Sequence, residues 1–485
     1  MNKELRRVSV LVLAMFLALF SSTTVIQVVQ QQSLQADSRN VRTLYASFSA
    51  ERGPIIAGDT TIAMSEASGD EYKYLRVYPE GELYAPVTGY FTLNGENTGI
   101  EGSLNDYLSG RANEQFLDQL NAILTGQHPK GAAVEVTVDP VVQQAAWDAL
   151  GDLKGAIVAI EPSSGRILAM VSKPSYDPNL LAGHSQSEVL ANYDALLSDA
   201  DAPLINRSIR GDLNPPGSTF KLVMTSAALM TGEYTPDSTV PNPSSLQLPG
   251  TETTISNQSR GTCGSGSEVT IATALRLSCN IPFAELGAEL GYDVIHDQAR
   301  AFGFEDPELG VPMKVQPSVF PEPESEAQLM LQSFGQGDNR AQPLQMAMVS
   351  AAIANDGELM RPNLVERITA PDLSVLQDFE PTVYSQPITS DVAETMTQLM
   401  VSNVAAGAAS GARIEGVDVA GKTGTAENGD DDPFTLWFTG FAPATDPQVA
   451  VAVVLEDGAG RGQSGSGNGI AAPIAKKVME AVLNR

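Results

Sequence analysis

The chain has 485 residues, 42% of them hydrophobic, and carries 29 basic against 58 acidic side chains, for a formal net charge of −29. That length exceeds one ordinary core and calls for two or three domains, while so acidic a surface repels polyphosphate and excludes nucleic acid as a partner. Histidine occurs only at His128, His184 and His296, none with Cys, Asp or Glu at ligand spacing, so no metal site is expected.

The chain opens M-N-K-E-L-R-R and turns apolar from Val8 to about Val29, close to the roughly 20 residues that span a bilayer. Lys3, Arg6 and Arg7 precede the run and favour a cytoplasmic N-terminus. No small-x-small cleavage site follows, and the run is long for a signal peptide. Residues 1–34 therefore read as a cytoplasmic stub and a single-pass anchor in the cell membrane. Everything after Gln30 is expected to be extracytoplasmic and to work without cytosolic nucleotides. Gln31 to Asn40 reads as a polar stalk. Residues 35–150 read as a small, mixed, β-rich pedestal in which no catalytic groups cluster. Its short apolar stretches, such as Y-L-R-V-Y-P, are broken by Gly, Asn and Pro. At its end V-E-V-T-V-D alternates as a strand, and a helix is expected from Pro140 to Gly151.

Residues 151–485 read as a second, catalytic domain. G-A-I-V-A-I-E and R-I-L-A-M-V-S flank P-S-S-G as a hairpin. Helical patterns follow at Phe220–Met230, Ile271–Leu277 and Gln342–Ala354. Strand patterns return in V-D-V-A-G-K-T-G-T, T-L-W-F-T-G-F-A and V-A-V-A-V-V-L-E, and I-A-A-P-I-A-K-K-V-M-E-A-V-L closes the chain as an amphipathic helix. Strands at both ends with helices between them predict an α/β domain built on one antiparallel sheet flanked by helices. The run Gly458 to Gly469 reads as a mobile loop. Cys263 and Cys279 are the only cysteines. In an oxidising compartment they are expected to pair, a bridge worth roughly 3 kcal/mol in the chain-entropy model.

In N-P-P-G-S-T-F-K, two prolines and a glycine keep helix out of the segment before Ser218. Lys221 follows one turn later on the same face. A serine hydroxyl needs a base, and a lysine serves if burial or a second cation lowers its pKa. The alternative job for Ser218 is a plain helix N-cap, but no other lysine here has a serine three residues before it. A second lysine stands in G-K-T-G-T. Gly416 to Thr423 also satisfies the P-loop pattern G-x-x-x-x-G-K-[ST], yet the intervening residues alternate as a strand and T-G-T-A-E-N-G-D-D-D-P follows, so nucleotide binding is rejected. As a strand edge, Lys422 and the Thr423 and Thr425 hydroxyls could hold a carboxylate. Gly424 would let a peptide lie close, and Thr425 N–H could supply an oxyanion donor. Of the Ser-x-Asn tripeptides at Ser38, Ser103, Ser278 and Ser466, only Ser278-Cys279-Asn280 lies between Ser218 and Lys422.

S-x-x-K, S-x-N and K-T-G in this order resemble the penicillin-binding protein and serine β-lactamase superfamily. R-G-P-I at Arg52, G-I-E at Gly99, V-T-V-D-P-V-V-Q at Val136 and F-G-Q-G at Phe334 resemble class B penicillin-binding proteins, nearest the short type called penicillin-binding protein A. The A-G-D-T-T after R-G-P-I departs from the family's acid-Arg-Asn-Gly turn and puts the local pedestal structure in question. The resemblance implies a transpeptidase domain behind a dimerisation-type pedestal. It implies a D,D-transpeptidase that cross-links peptidoglycan stem peptides ending in D-Ala-D-Ala and is acylated by β-lactams, without a cofactor. Ser218 would attack, Lys221 act as base, and the N–H groups of Ser218 and Thr425 hold the oxyanion. Ser278 and Lys422 would relay a proton, Asn280 orient Lys221, and Thr423 and Thr425 bind the terminal carboxylate. A separate membrane glycosyltransferase of the elongation or division machinery is the implied partner. A D,D-carboxypeptidase using the same residues, a β-lactamase, or a non-catalytic β-lactam sensor or scaffold are the alternatives.

Overall fold

The structure is a computed structural model that describes residues 3–30, 48, 50–93, 95–115, 130–211, 213–257 and 261–485. The expected stalk, the Ser38 tripeptide and His128 lie outside these residues. At the N-terminus one helix covers Lys3–Thr24, none of it buried, and continues through Val25–Val29. Its stretch Lys3–Gln27, 25 residues, is long and apolar enough to cross a membrane.

The catalytic region is built on a five-stranded antiparallel sheet. Its order is Ala420–Ala426, Thr435–Ala442, Val449–Leu455, Gly155–Ile160, Ile167–Lys173. The expected hairpin and the three late strands thus join into one sheet. Side chains alternate between two cores, as a period of two requires. Ala450, Ala452 and Val454 face the large helical core. Val449, Val451, Val453 and Leu455 face a smaller one closed by Pro140–Leu150 and Ala472–Leu483. Burial on both faces explains why this strand reads as an unbroken apolar run. The helix Pro343–Ala354 is buried almost all round against the sheet.

Helix Pro140–Leu150 begins and ends where its punctuation predicts: the Asp139 side chain accepts from Val141 N and Val142 N, and Gly151 sits at φ +57°. Although expected to close the pedestal, it packs on the catalytic sheet. The pedestal sheet has six strands, and two of them come from late sequence. Val365–Thr369 pairs with Ala133–Val136, and Val375–Asp378 lies outside it. The departure A-G-D-T-T still makes a tight hairpin, with Gly58 at φ +53° and Ala57 opposite Thr60. The motif residues Arg52 and Glu101 meet: Arg52 Nε and Arg76 Nε each lie 2.5 Å from the buried Glu101 carboxylate. Burial pushes that carboxyl up, and the two guanidinium groups more than offset it.

Gly458 to Gly469, expected as a mobile loop, is folded into short helical turns. Glycines at positive φ (Gly458, Gly460, Gly462) make the turns possible. Gln463 Nε2 ties them to the carbonyls of Gly429, Asp430 and Asp432.

Candidate active site

Asn214-Pro215-Pro216 leads to Gly217 at φ +53°, and a 3-10 turn, Gly217–Phe220, runs into the helix Lys221–Met230. Pro216 and Phe220 hold the cap positions, so Ser218 lies inside the first turn and is no N-cap. Its Oγ is 2.9 Å from Lys221 Nζ. That nitrogen also donates to Ser278 O and to Asn280 Oδ1, each at 2.9 Å. The rings of Phe283 and Phe334 stand 5.4 and 5.9 Å away. Lys221 is fully buried. Burial pushes its ammonium well below the usual range, and the nearby Lys422 adds to the effect.

Ser278 and Asn280 bracket a sharp change of direction. The helix Ile271–Leu277 ends on Ser278 at φ +61°, left-handed backbone, which turns its carbonyl to Lys221 while its hydroxyl receives Lys422 Nζ at 2.6 Å. Cys279 is bridged to Cys263 with a Cα–Cα distance of 5.8 Å, the pairing expected. Asn280 is held by Asn257, whose Oδ1 accepts from Asn280 N at 2.9 Å, and its Nδ2 donates to Ser256 O at 3.2 Å.

Lys422 lies in the interior of the edge strand Ala420–Ala426, which has no helix after it, so the P-loop spacing is coincidental. Lys422 is fully buried and burial brings its pKa down to about 7. The free edge of this strand faces the nucleophile turn. A Cβ on Gly424 would come within 2.8 Å of Pro216 O, and one on Gly217 within 3.2 Å of Thr425 C. Trp437 Nε1 donates to Pro215 O at 2.9 Å and ties the next strand to the same loop.

Thr423 departs from expectation. The residue is buried, and its hydroxyl donates its one proton to Ala408 O at 3.0 Å, so in this arrangement it has none for a carboxylate. Thr425 Oγ1 instead accepts from Gly467 N at 3.2 Å, which leaves its own proton to donate. The structure therefore gathers Ser218, Lys221, Ser278, Asn280, Lys422, Gly424 and Thr425 at one place. Sequence reading missed Asn257, Ala408 and Gly467. No local pattern marks them, because each reaches the site through tertiary contact.

A nucleophile-bearing turn, two buried lysines and a sheet edge define a serine acyltransferase site. The penicillin binding protein transpeptidase domain matches residues 155–480, and the penicillin binding protein A dimerisation domain matches residues 52–134. The peptidoglycan D,D-transpeptidase PbpA of Mycolicibacterium smegmatis is 42% identical over 100% of this chain and 99% of its own. Its namesake in Mycobacterium tuberculosis is 41% identical over the same shares. Penicillin-binding protein A from M. tuberculosis, solved as a ceftriaxone acyl-enzyme complex, superposes with a TM-score of 0.86 at 39% identity, covering 90% of this chain and 100% of that one. Its penicillin G acyl-enzyme complex gives 0.84 over the same shares. The chain belongs to the penicillin-binding protein transpeptidase family.

Proposed function

We propose that this protein is a membrane-anchored peptidoglycan D,D-transpeptidase, acylated at Ser218 both by stem peptides ending in D-Ala-D-Ala and by β-lactams. The observation that carries the reading is the set of partners around Lys221 Nζ. Ser278 O and Asn280 Oδ1 are pure acceptors at 2.9 Å. A neutral amine has two N–H groups, and these two acceptors use both. The remaining lone pair then points at Ser218 Oγ, ready to take its proton.

Ser218 attacks the penultimate D-Ala carbonyl, and its proton passes to Lys221. The N–H groups of Ser218 and Thr425 receive the oxyanion. Collapse breaks the D-Ala–D-Ala amide. Ser278, coupled to Lys422, returns a proton to the departing amine. Thr425 Oγ1 and the Lys422 charge recognise the terminal carboxylate, and Thr423 supports the strand through Ala408. Asn280 keeps Lys221 aimed at Ser218. An amine from a neighbouring stem then attacks the ester and resolves it.

The matches at 52–134 and 155–480 support a non-catalytic pedestal and a catalytic domain from about residue 151, and the apolar helix Lys3–Thr24 supports an anchor at 1–34. The N-terminal helix supports a single span with the catalytic domain outside the cell, and a membrane glycosyltransferase is the partner that would supply glycan strands. The test is incubation with a donor stem peptide and an acceptor amine. A cross-linked dimer is expected, and Ser218→Ala should lose both the dimer and the β-lactam mass adduct. Hydrolysed monomer alone, or an adduct that survives in Ser218→Ala, overturns the reading.

A further inference from the structure

The segment Phe334 to Gly337, F-G-Q-G, takes no part in the proton path. It follows the helix Glu326–Ser333, and within three residues it touches both halves of the site. The buried Phe334 ring lies 5.9 Å from Lys221 Nζ. Gly335 O accepts from Gly217 N at 2.9 Å. Gly335 has φ +86°, and a Cβ there would sit 1.8 Å from Gly217 O, so this approach admits glycine alone. The Gln336 side chain then clasps the Glu427 main chain. With its amide assigned in the orientation that pairs both groups, its nitrogen donates to Glu427 O at 3.1 Å and its oxygen accepts from Glu427 N at 2.9 Å.

Glu427 is the second residue past Thr425, where the edge strand Ala420–Ala426 leaves the sheet. That strand is paired on one side only, with Thr435–Ala442. Among the described residues its other edge carries no sheet partner to fix how far it stands from the nucleophile turn. The bidentate amide replaces such a partner at the strand's end. Its neighbour Gly335 holds the turn itself through Gly217. One short loop thus grips both sides of the gap between Ser218 and Thr425.

We propose that Gln336 is a positioning residue for acylation: its two hydrogen bonds to Glu427 set the separation of Ser218 and Thr425, and with it the fit of the oxyanion between their N–H groups. The proposal rests on the acyl-enzyme reading above. A donor pair displaced by part of an ångström fails the transition state more than the bound substrate. The loss therefore belongs in the acylation rate constant and not in the affinity of the first complex.

The test uses the full chain with a chromogenic cephalosporin in stopped flow, which separates the dissociation constant of the non-covalent complex from the acylation rate constant. Gln336→Met keeps length and removes both hydrogen bonds. It should lower the rate constant about 10- to 100-fold while the dissociation constant stays within about threefold. Thermal melting should be nearly unchanged. Gln336→Glu keeps the bond from Glu427 N, loses the one to Glu427 O, and should fall between Met and wild type. It carries the same measurement should Gln336→Met lose its folding transition. An unchanged rate constant in the folded variant overturns the proposal, as does a loss confined to the dissociation constant or to melting. If the wild type forms no adduct on Ser218, the acyl-enzyme reading falls and takes the positioning role with it. Acylated wild type with an unaffected variant removes the positioning role alone.

Discussion

Asn280→Asp tests the protonation of Lys221 at almost no steric cost. The wild-type amide oxygen lies 2.9 Å from Lys221 Nζ, and the substitution puts a carboxylate there. At that distance a full charge pair is worth roughly 6 kcal/mol with an effective dielectric of about 20. Asn280 is half-buried and water screens it, so about half is a fair measure, equivalent to about 2 pH units at 1.36 kcal/mol each. The direction is fixed: a carboxylate favours the ammonium and raises its pKa, against the burial and the Lys422 charge that lower it in the wild type. Where Lys221 is mostly protonated, each unit by which its pKa rises costs tenfold in free base, so acylation should fall by up to about 100-fold and recover as pH rises. The assay is the β-lactam acylation rate constant from acid to alkaline pH, with thermal melting as a control. An acid limb that has not moved upward would refute the reasoning even if the variant were slow, because the damage would then lie in geometry and not in the base.

Lys422, which burial brings down to about 7, should impose an alkaline limb near that value on acylation by a peptide donor. Lys422→Arg stays charged and should lower the plateau while removing the limb; persistence of the limb would refute the assignment. Glu101→Gln leaves Arg52 and Arg76 buried without a counter-charge, which costs about 3–5 kcal/mol. Calorimetry should show a markedly lower melting temperature, while the acylation rate constant well below it should match wild type. A variant that melts like wild type would mean the pair is dispensable. Thiol labelling of denatured, unreduced protein should find no free cysteine and, after reduction, two, as the Cys263–Cys279 bridge requires.

What could be read from the sequence was local. Ser218 and Lys221 share one helical turn, so their meeting follows from i,i+3 geometry. Asp139-Pro140 and Gly151 are cap signals that act within one turn, and the helix obeys them. Thr435–Ala442 and Val449–Leu455 were visible because burial on both faces demands mostly apolar residues, whereas the strand expected from Val417 starts only at Ala420. Val365–Thr369 was not visible: V-E-R-I-T is short, and its partner Ala133–Val136 lies more than 200 residues earlier, so pairing rests on contacts no local pattern encodes. The same holds inside the site. The carbonyl of Ser278 reaches Lys221 only because the residue is left-handed at φ +61°, a conformation Ser adopts under tertiary constraint and not by propensity. The Thr423 hydroxyl was assigned to substrate from its motif, and here it donates to Ala408 O, an acceptor brought up by tertiary contact that no local pattern encodes. Glycine richness at Gly458 to Gly469 signalled freedom in the unfolded chain, whereas the fold uses that freedom to close turns.

Among the described residues, neither Lys221 nor Lys422 has a carboxylate at ion-pair distance, in a chain where acids outnumber bases 58 to 29. Two buried cations without counter-charges are expensive, and an acid beside them would relieve the cost. It would do so by keeping the ammonium form, in which all three N–H groups of Lys221 are donors and no lone pair remains for Ser218. The neutral partners that stand there, a backbone carbonyl, an amide oxygen and a hydroxyl, satisfy hydrogen bonds without favouring the charge. The identity of residue 280 as Asn and not Asp is therefore the point at which stability and catalysis ask for different side chains, and the amide is the choice that leaves Lys221 able to accept a proton.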